Sequence, residues 1–207
     1  MKKKIIIIGS GGHSNIAIQE IDKINKFNII GFIDEKKNFQ NGKKILGNIK
    51  FLEDKFNNKR VNLFCAIGDQ KVRKRIVKRL NKSKIKITWI KIISKESIVY
   101  KNVKIDEGSL IISGAVVNIN SVIGKHCIIN TNSSIDHDCI IKDFVNISPG
   151  VSVGGRTKID SDCFLGIGAS IKEKIHIRSN VVIGANSFVN KNCFKNSKYL
   201  GIPAKKK

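Results

Sequence analysis

A six-residue repeat dominates the second half of the chain. Residues 105–194 divide into fifteen consecutive six-residue blocks with no residue left over, and each block opens on Ile, Leu or Val. The openers are Ile105, Ile111, Val117, Ile123, Ile129, Ile135, Ile141, Ile147, Val153, Ile159, Leu165, Ile171, Ile177, Ile183 and Val189. A period of six fits neither a helix nor a simple alternating strand. It is typical of a hexapeptide β-helix, in which three short strands close each triangular coil and the openers fill the interior.

The first hundred residues follow a different pattern. Short apolar runs at 5–8, 29–33 and 63–67 alternate with segments of helical periodicity. This alternation is typical of a small parallel α/β sheet. The sequence therefore predicts a Rossmann-like α/β domain over residues 1–98 and an all-β β-helix domain with a basic tail over residues 99–207.

Positive charge is concentrated outside the repeat. Of the net charge of +23, residues 1–104 carry +18 and residues 195–207 carry +5, whereas the repeat is neutral. Such a field attracts polyanionic ligands, although a lysine-rich solvated surface explains it equally well. In residues 71–80, Val72, Ile76 and Leu80 form one helical stripe, which predicts that the basic residues lie on the solvated face. No nucleic-acid-binding motif accompanies them, so we expect no nucleic-acid partner.

The cysteines fit a packing role. Four of the five occupy the small fifth position of a block: Cys127, Cys139, Cys163 and Cys193. No Cys-x-x-Cys occurs, so we expect neither disulfides nor zinc and infer a reducing, cytoplasmic compartment. His126 and His176 are predicted to be solvated, and no two histidines lie five residues apart as in the β-helical γ-carbonic anhydrases. We therefore expect no metal. No apolar run is long enough to span a membrane.

A glycine-rich turn follows the first predicted strand. Gly9, Gly11 and Gly12 precede a helix, which allows backbone amides to approach a phosphate or another polar group. The third glycine of a dinucleotide fingerprint is replaced by Ser14. Asp34 ends the second strand, where an acidic residue can bind a ribose or sugar hydroxyl. A purely structural turn is the alternative.

His137 is the histidine best suited to catalysis. Asp136 and Asp138 flank it, and a carboxylate bound to one imidazole nitrogen fixes the tautomer and makes the other nitrogen a better base. An ordinary surface histidine is the alternative.

Several short motifs together resemble a known family, the sugar acyltransferases of the sialic acid O-acetyltransferase and bacillosamine-pathway N-acetyltransferase group. They are Gly11-Gly12-His13, Phe32-Ile33-Asp34-Glu35, Ala66-Ile67-Gly68-Asp69, Asn130-Thr131 with Asp136-His137-Asp138-Cys139, and Gly201-Ile202-Pro203-Ala204-Lys205. The resemblance covers nearly the whole chain. It implies a left-handed β-helix, a homotrimer with active sites between adjacent β-helices, acetyl-CoA along the coils, and a nucleotide-linked sugar on the N-terminal domain.

The resemblance also implies roles for individual residues. His137 corresponds to the catalytic base, and Asp138 to the acid that raises its basicity. The positions that match the sugar-nucleotide site are Gly11, Gly12, His13, Asp34, Glu35 and Gly68. The positions that match acetyl-CoA contacts are Asn146, Ile167 and Ala185. Many relatives have a histidine in place of Asn146. A backbone amide near Gly155 is a candidate for stabilising the oxyanion.

The sequence thus predicts an acetyl-CoA-dependent N-acetyltransferase that acts on the amino group of a nucleotide-linked deoxy-amino sugar in surface glycan synthesis. O-acetylation of a sialic acid or related sugar is the alternative within the family, because one base serves an amine or a hydroxyl. A nucleotide-binding sensor on an inert β-helix is the alternative from another class.

Overall fold

A computed structural model describes residues 1–35 and 44–207 and divides the chain into two compact units, Met1–Ile92 and Ile93–Lys207. The division lies six residues before the boundary expected from the sequence. The reason is that the strand Ile92–Ile93 already belongs to a β-helix sheet and the amide of Ser94 donates to the carbonyl of Ile111.

The N-terminal unit is a parallel α/β sheet. Its strands are β1 (Lys3–Ile8), β2 (Phe27–Ile33), β3 (Ile45–Gly47), β4 (Arg60–Cys65) and β5 (Lys86–Trp89), and its helices are α1 (Gly12–Ile24), α2 (Ile49–Lys55) and α3 (Gln70–Asn81). The order in the sheet is β3-β2-β1-β4-β5, and every pairing is parallel. Side chains 5–8 of the central strand β1 are all buried, as expected for a strand covered on both faces.

The helix α3 corrects one prediction. Its buried residues are Arg73, Val77 and Leu80, whereas Val72 and Ile76 are only half-buried. Arg73 is buried because its guanidinium donates to the carbonyls of Ile67 (2.8 Å) and Gly68 (3.1 Å). A basic residue therefore lies on the inner face of this helix, contrary to the predicted apolar stripe.

The second unit is a β-helix of short parallel strands that form three faces. The first face contains β6 (Ile92–Ile93), β9 (Leu110–Ile111), β12 (Ile128–Ile129), β15 (Asn146–Ile147), β18 (Phe164–Leu165), β21 (Val182–Ile183), β23 (Lys198–Leu200) and β24 (Lys205–Lys206). The second face contains β7 (Ile98–Val99), β10 (Val116–Val117), β13 (Ser134–Ile135), β16 (Ser152–Val153), β19 (Ser170–Ile171) and β22 (Phe188–Val189). The third face contains β8 (Lys104–Ile105), β11 (Val122–Ile123), β14 (Ile140–Ile141), β17 (Lys158–Ile159) and β20 (His176–Ile177).

The register of this β-helix is eighteen residues per coil. Val116 pairs with Ser134, Ser134 with Ser152, and Ser152 with Ser170. Every block opener is buried, the most exposed being Ile105 at 7%. The predicted fold class is confirmed in both units.

Turns at the corners rely on residues that tolerate a left-handed backbone. Positive φ values recur at the fourth position of the blocks, for example at Asn120 (62°), Asp138 (59°) and Gly168 (68°). Asn, Asp and Gly pay the smallest steric penalty for this conformation. The repeat therefore encodes its turns as well as its interior.

Candidate functional site

His137 and Asp138 form a hydrogen-bonded pair at the corner between the second and third faces. His137 Nδ1 lies 2.8 Å from Asp138 Oδ2, and the two side chains are 39% and 46% exposed. The hydrogen bond from His137, and secondly that from the Asn120 amide, lower the pKa of Asp138 below its ordinary value. Asp138 is therefore ionised near neutral pH and accepts from Nδ1, which leaves Nε2 without a proton in the neutral imidazole.

Gly155 lies directly against this imidazole. A Cβ placed on Gly155 would come within 2.7 Å of His137 Nε2, so any larger residue would obstruct the nitrogen. The preceding residue, Gly154, also lacks a side chain. The equivalent positions one coil earlier are Asp136 and His137, and there Asp136 Oδ1 accepts from the amide of His137 at 2.8 Å. Gly154 has no side chain to do the same, and the Gly155 amide has no hydrogen-bond partner within the described residues. The corner therefore places His137 Nε2 beside a residue whose backbone N–H has no partner among the described residues.

The other predicted acetyl-CoA contacts lie elsewhere on the same prism. Ile167 and Ala185 are exposed and lie one coil apart at the corner between the first and second faces, where the amide of Asn186 donates to Ile167. Asn146 is 8% exposed and lies on the first face, between Ile128 and Phe164. Within one chain, only Gly155 of the four predicted positions adjoins His137.

The corner at Ile167 and Ala185 is shaped by glycines. Gly166 and Gly184 precede these residues, so no side chain caps the amides of Ile167 and Ala185, which have no partner among the residues described. In an earlier coil, Asn130 Oδ1 accepts from the amide of Thr131 at 2.8 Å. Packing also requires these glycines, because a Cβ on Gly166 would lie 2.6 Å from the amide nitrogen of Ala185.

In the N-terminal unit, Asp34 and Glu35 line a cavity of about 390 Å³ at the carboxyl ends of the central strands. Its other walls are Ile8, Gly9, Ile33, Ile49, Ile67, Val72, Arg75, Ile76 and Arg79. Ser10 donates to Asp34 Oδ2 through its amide and its hydroxyl, each at 2.7 Å. Ser10, Arg75 and Arg79 were not predicted from the sequence as part of this site, but both arginines are exposed, as the sequence predicts for the basic residues of α3.

The remaining predicted substrate positions surround the glycine turn and do not line this cavity. Gly11 and Gly12 are open, with nothing within 4 Å of a Cβ added to either. Ser14 is buried, and its hydroxyl donates to the carbonyl of Gly11 at 2.6 Å, which accounts for the serine in place of a third glycine.

His13 is the ionisable group of this turn, and its side chain is half-buried. It packs against Gly68, whose added Cβ would lie 3.6 Å from the imidazole. Burial, and secondly the charge of Arg73, lower the pKa of His13 to about 4. The imidazole is therefore neutral near pH 7, and its buried Nε2 has no hydrogen-bond partner within residues 1–35 and 44–207.

The two other histidines differ from the prediction that they are solvated. His126 is 2% exposed and stacks on Phe144 with ring centroids 5.2 Å apart, because its turn position aligns with that of Phe144 one coil later. His176 is half-buried, and its Nε2 lies 3.0 Å from Asp160 Oδ2.

All five cysteines are buried and unbridged. Within the described ranges, no cluster of His, Cys, Asp and Glu has the arrangement of a metal site. None of the described helices combines the length and the apolarity needed to cross a membrane.

A family model matches part of the N-terminal unit. Residues 4–80 match the model of the PglD N-terminal domain.

Solved structures extend the match beyond the PglD N-terminal domain to the whole chain. The acetyltransferase domain of PglB from Neisseria gonorrhoeae is 26% identical, covers 100% of both chains and superposes with a TM-score of 0.93. PerB from Caulobacter crescentus, solved with CoA and GDP-perosamine, is 25% identical over 99% of this chain and 97% of its own, with a TM-score of 0.92. WeeI from Acinetobacter baumannii, 24% identical over 100% of both chains, shares the fold with a TM-score of 0.82. These matches confirm the resemblance inferred from sequence, a sugar acetyltransferase with a hexapeptide left-handed β-helix.

Proposed function

We propose that this protein is an acetyl-CoA-dependent N-acetyltransferase that acetylates the amino group of a nucleotide-linked amino sugar. The observation that carries the proposal is the His137–Asp138 pair with Gly155 against Nε2, within a fold shared with acetyltransferases. PerB, solved with CoA and GDP-perosamine, and the PglB domain, also solved with acetyl coenzyme A, supply the ligand classes.

The chemistry follows from the tautomer of His137. Asp138 accepts a hydrogen bond from Nδ1–H, so the unprotonated Nε2 takes a proton from the sugar amine as the amine nitrogen attacks the thioester carbonyl carbon. The new C–N bond leaves negative charge on the carbonyl oxygen, for which the open amide of Gly155 is the proposed donor. When the C–S bond breaks, the CoA thiolate leaves and takes up the proton held by His137. Protons and electrons balance without a covalent enzyme intermediate.

The two units supply different parts of the reaction in this proposal. The cavity lined by Asp34 and Glu35 binds the nucleotide portion of the acceptor, with Asp34 accepting from ribose or sugar hydroxyls. Gly11, Gly12, His13 and Gly68 form the turns beside it. Arg75 on the cavity wall supplies positive charge of the kind that binds a diphosphate, whereas the guanidinium of Arg79 is already paired with both carboxylate oxygens of Glu53.

The acetyl-CoA site is proposed to need a second copy of the chain. His137 lies at one corner of the prism, whereas Ile167, Ala185 and the neighbouring Asn146 lie around another. A homotrimer with cyclic symmetry would place the corner of one protomer that carries Ile167 and Ala185 against His137 of the next protomer. Such a ring is closed by contacts between two different surfaces of the protomer. The open amides of Ile167 and Ala185 are suited to the amide carbonyls of the pantetheine arm. We further propose a cytoplasmic enzyme, because the acyl donor and nucleotide sugars are cytoplasmic metabolites.

Substitution of the base tests the proposal. His137→Ala should keep the assembly and the binding of both substrates, because an outward turn residue contributes little packing. Turnover, followed as thiol release with acetyl-CoA and a panel of nucleotide amino sugars, should fall by about 10²–10⁴-fold. His176→Ala removes the other histidine–carboxylate pair of the β-helix and should leave turnover near that of the wild type.

The pH dependence of this loss separates amine from hydroxyl acceptors. An amine with a pKa near roughly 8 becomes a free nucleophile at high pH, so the defect of His137→Ala should shrink there, whereas a hydroxyl gains nothing. A defect that is constant with pH would indicate O-acetylation. Wild-type turnover of His137→Ala at neutral pH would refute the mechanism.

A further inference from the structure

A column of equivalent turn positions runs along the corner that carries the proposed catalytic pair. At this corner the fourth position of the block recurs every eighteen residues. The backbone there is left-handed in five successive coils, with φ between 59° and 62° at Asn102, Asn120, Asp138, Arg156 and Lys174. The left-handed backbone explains why asparagine is favoured here. The backbone conformation does not explain why the asparagine side chains form hydrogen bonds with one another and with Asp138.

The connections are hydrogen bonds that all point toward Asp138. Asn102 Nδ2 donates to Asn120 Oδ1 at 3.3 Å, and Asn120 Nδ2 donates to Asp138 Oδ1 at 3.1 Å. Asn102 thereby fixes which end of the Asn120 amide faces the carboxylate. Each oxygen of Asp138 then has its own donor, the Asn120 amide for Oδ1 and the His137 ring for Oδ2.

Exposure makes this second contact important. The Asp138 side chain is 46% exposed, so packing contributes little to the orientation of the carboxylate and its hydrogen bonds contribute most. A carboxylate held at one oxygen only can rotate away and accept from water, and the imidazole then loses the acceptor that selects its tautomer. The other charged groups near Asp138 are Arg156, the next residue of the column, and Asp136, whose Oδ1 binds Asn118 Nδ2 and the His137 amide.

We propose that Asn120 is a positioning residue for the base: it orients the Asp138 carboxylate so that His137 keeps its proton on Nδ1 and presents a bare Nε2 beside Gly155. This inference rests on the proposed function of His137. Asn120 touches neither substrate nor the reacting atoms, and it acts through Asp138.

The test replaces Asn120 by glycine, which keeps the left-handed turn at no steric cost and removes only the amide. Asn120→Gly should lower kcat by about 3–10-fold, in the range typical of coupled neighbours, and should leave both KM values unchanged. Asn102→Gly, one coil further from Asp138, is the matched control and should stay within about twofold of wild type, since weakening one distant link costs little.

A double-mutant cycle shows whether the effect passes through Asp138. In an Asp138→Gly background, Asn120→Gly should change kcat by less than about 1.5-fold, because the group it orients is gone. An equal loss in both backgrounds, or no loss in either, would overturn the proposal.

A spectroscopic measurement keeps the inference testable without turnover. The chain has four histidines, so ¹⁵N shifts of the ring nitrogens can be assigned with a His137→Gln reference. In the neutral wild-type ring we expect a bare Nε2, and in Asn120→Gly a shift toward the tautomer protonated on Nε2. An unchanged tautomer in Asn120→Gly refutes the role of Asn120, even if no acceptor sugar has been found. An inactive wild-type protein whose tautomer shifts as expected in Asn120→Gly counts against the proposed function alone.

Discussion

The two units place their chemistry on the backbone in different ways. In the β-helix, the neighbour of a residue is the residue eighteen positions away, as in Asn120 and Asp138. In the α/β unit, Ser10 binds Asp34 across 24 positions and Arg73 binds carbonyls five and six positions back. Contacts between coils of a repetitive fold can therefore be predicted from their fixed spacing in the sequence. Contacts within a sheet with connecting helices have no fixed spacing and cannot be predicted in this way.

The two units also bury different groups. The interior of the β-helix consists of aliphatic openers with small hydroxyl or thiol residues, whose polar atoms bind backbone carbonyls, such as Ser109 Oγ to Gly124. The α/β unit buries the guanidinium of Arg73, and beside it the half-buried His13 has its pKa lowered to about 4, whereas the buried imidazole of the β-helix, His126, lies at a turn outside the prism interior. The first interior should be insensitive to pH and intolerant of charge, and the second should respond to pH.

The largest expected effect is a charge placed inside the prism. Ile147→Asp should lose about 1.5–3 kcal/mol of burial and in addition leave an unpaired buried carboxylate. The total approaches the whole stability of a typical domain, about 5–15 kcal/mol. Urea unfolding followed by circular dichroism should show loss of the β-helix. Ile140→Asp is the control, because Ile140 is 45% exposed on the third face and should tolerate the change. Equal stability of the two variants would mean that openers do not form the interior.

A smaller effect should distinguish the α/β unit by its response to pH. Because His13 is neutral in the folded state down to about pH 4 but protonates near 6.5 when unfolded, protons bind the unfolded state preferentially between these values. Stability should be fully present above about pH 6.5 and should fall on acidification toward pH 4, by at most about 3 kcal/mol.

Fluorescence of Trp89, the one tryptophan of the chain, reports this unit. His13→Gln should flatten the dependence of its unfolding on pH, whereas His176→Gln in the β-helix should not. A slope that survives His13→Gln would assign the effect to other groups.

The smallest effect concerns ligand binding. Asp34→Ala should raise the KM for the nucleotide sugar by about tenfold, the equivalent of one lost charged hydrogen bond, and should leave the KM for acetyl-CoA unchanged. Asp34→Asn retains an acceptor for Ser10 and separates loss of the ligand contact from collapse of the turn. Asp22→Ala, an exposed acid in α1, is the control. A change in the acetyl-CoA constant instead would reverse the assignment of the two sites.

Sequence alone determined the fold of the second unit, because a period of six with buried openers has one common structural solution. It also indicated the His137–Asp138 pair, since residues adjacent in a turn are adjacent in space. The eighteen-residue register also places Asn120 one coil before Asp138, so the sequence implies this neighbour as well.

Tertiary structure decided what depends on contacts without a fixed spacing. The burial of Arg73 depends on the carbonyls of Ile67 and Gly68, which lie after β4. Helical periodicity alone predicts that a charged residue is solvated. The same holds for His126, which is buried by stacking on Phe144, and for the cavity that brings Asp34, which follows β2, together with Arg75 and Arg79 of α3. A linear pattern records which residues are apolar, but the partners that satisfy a buried polar group come from distant segments and are fixed only when the chain has folded.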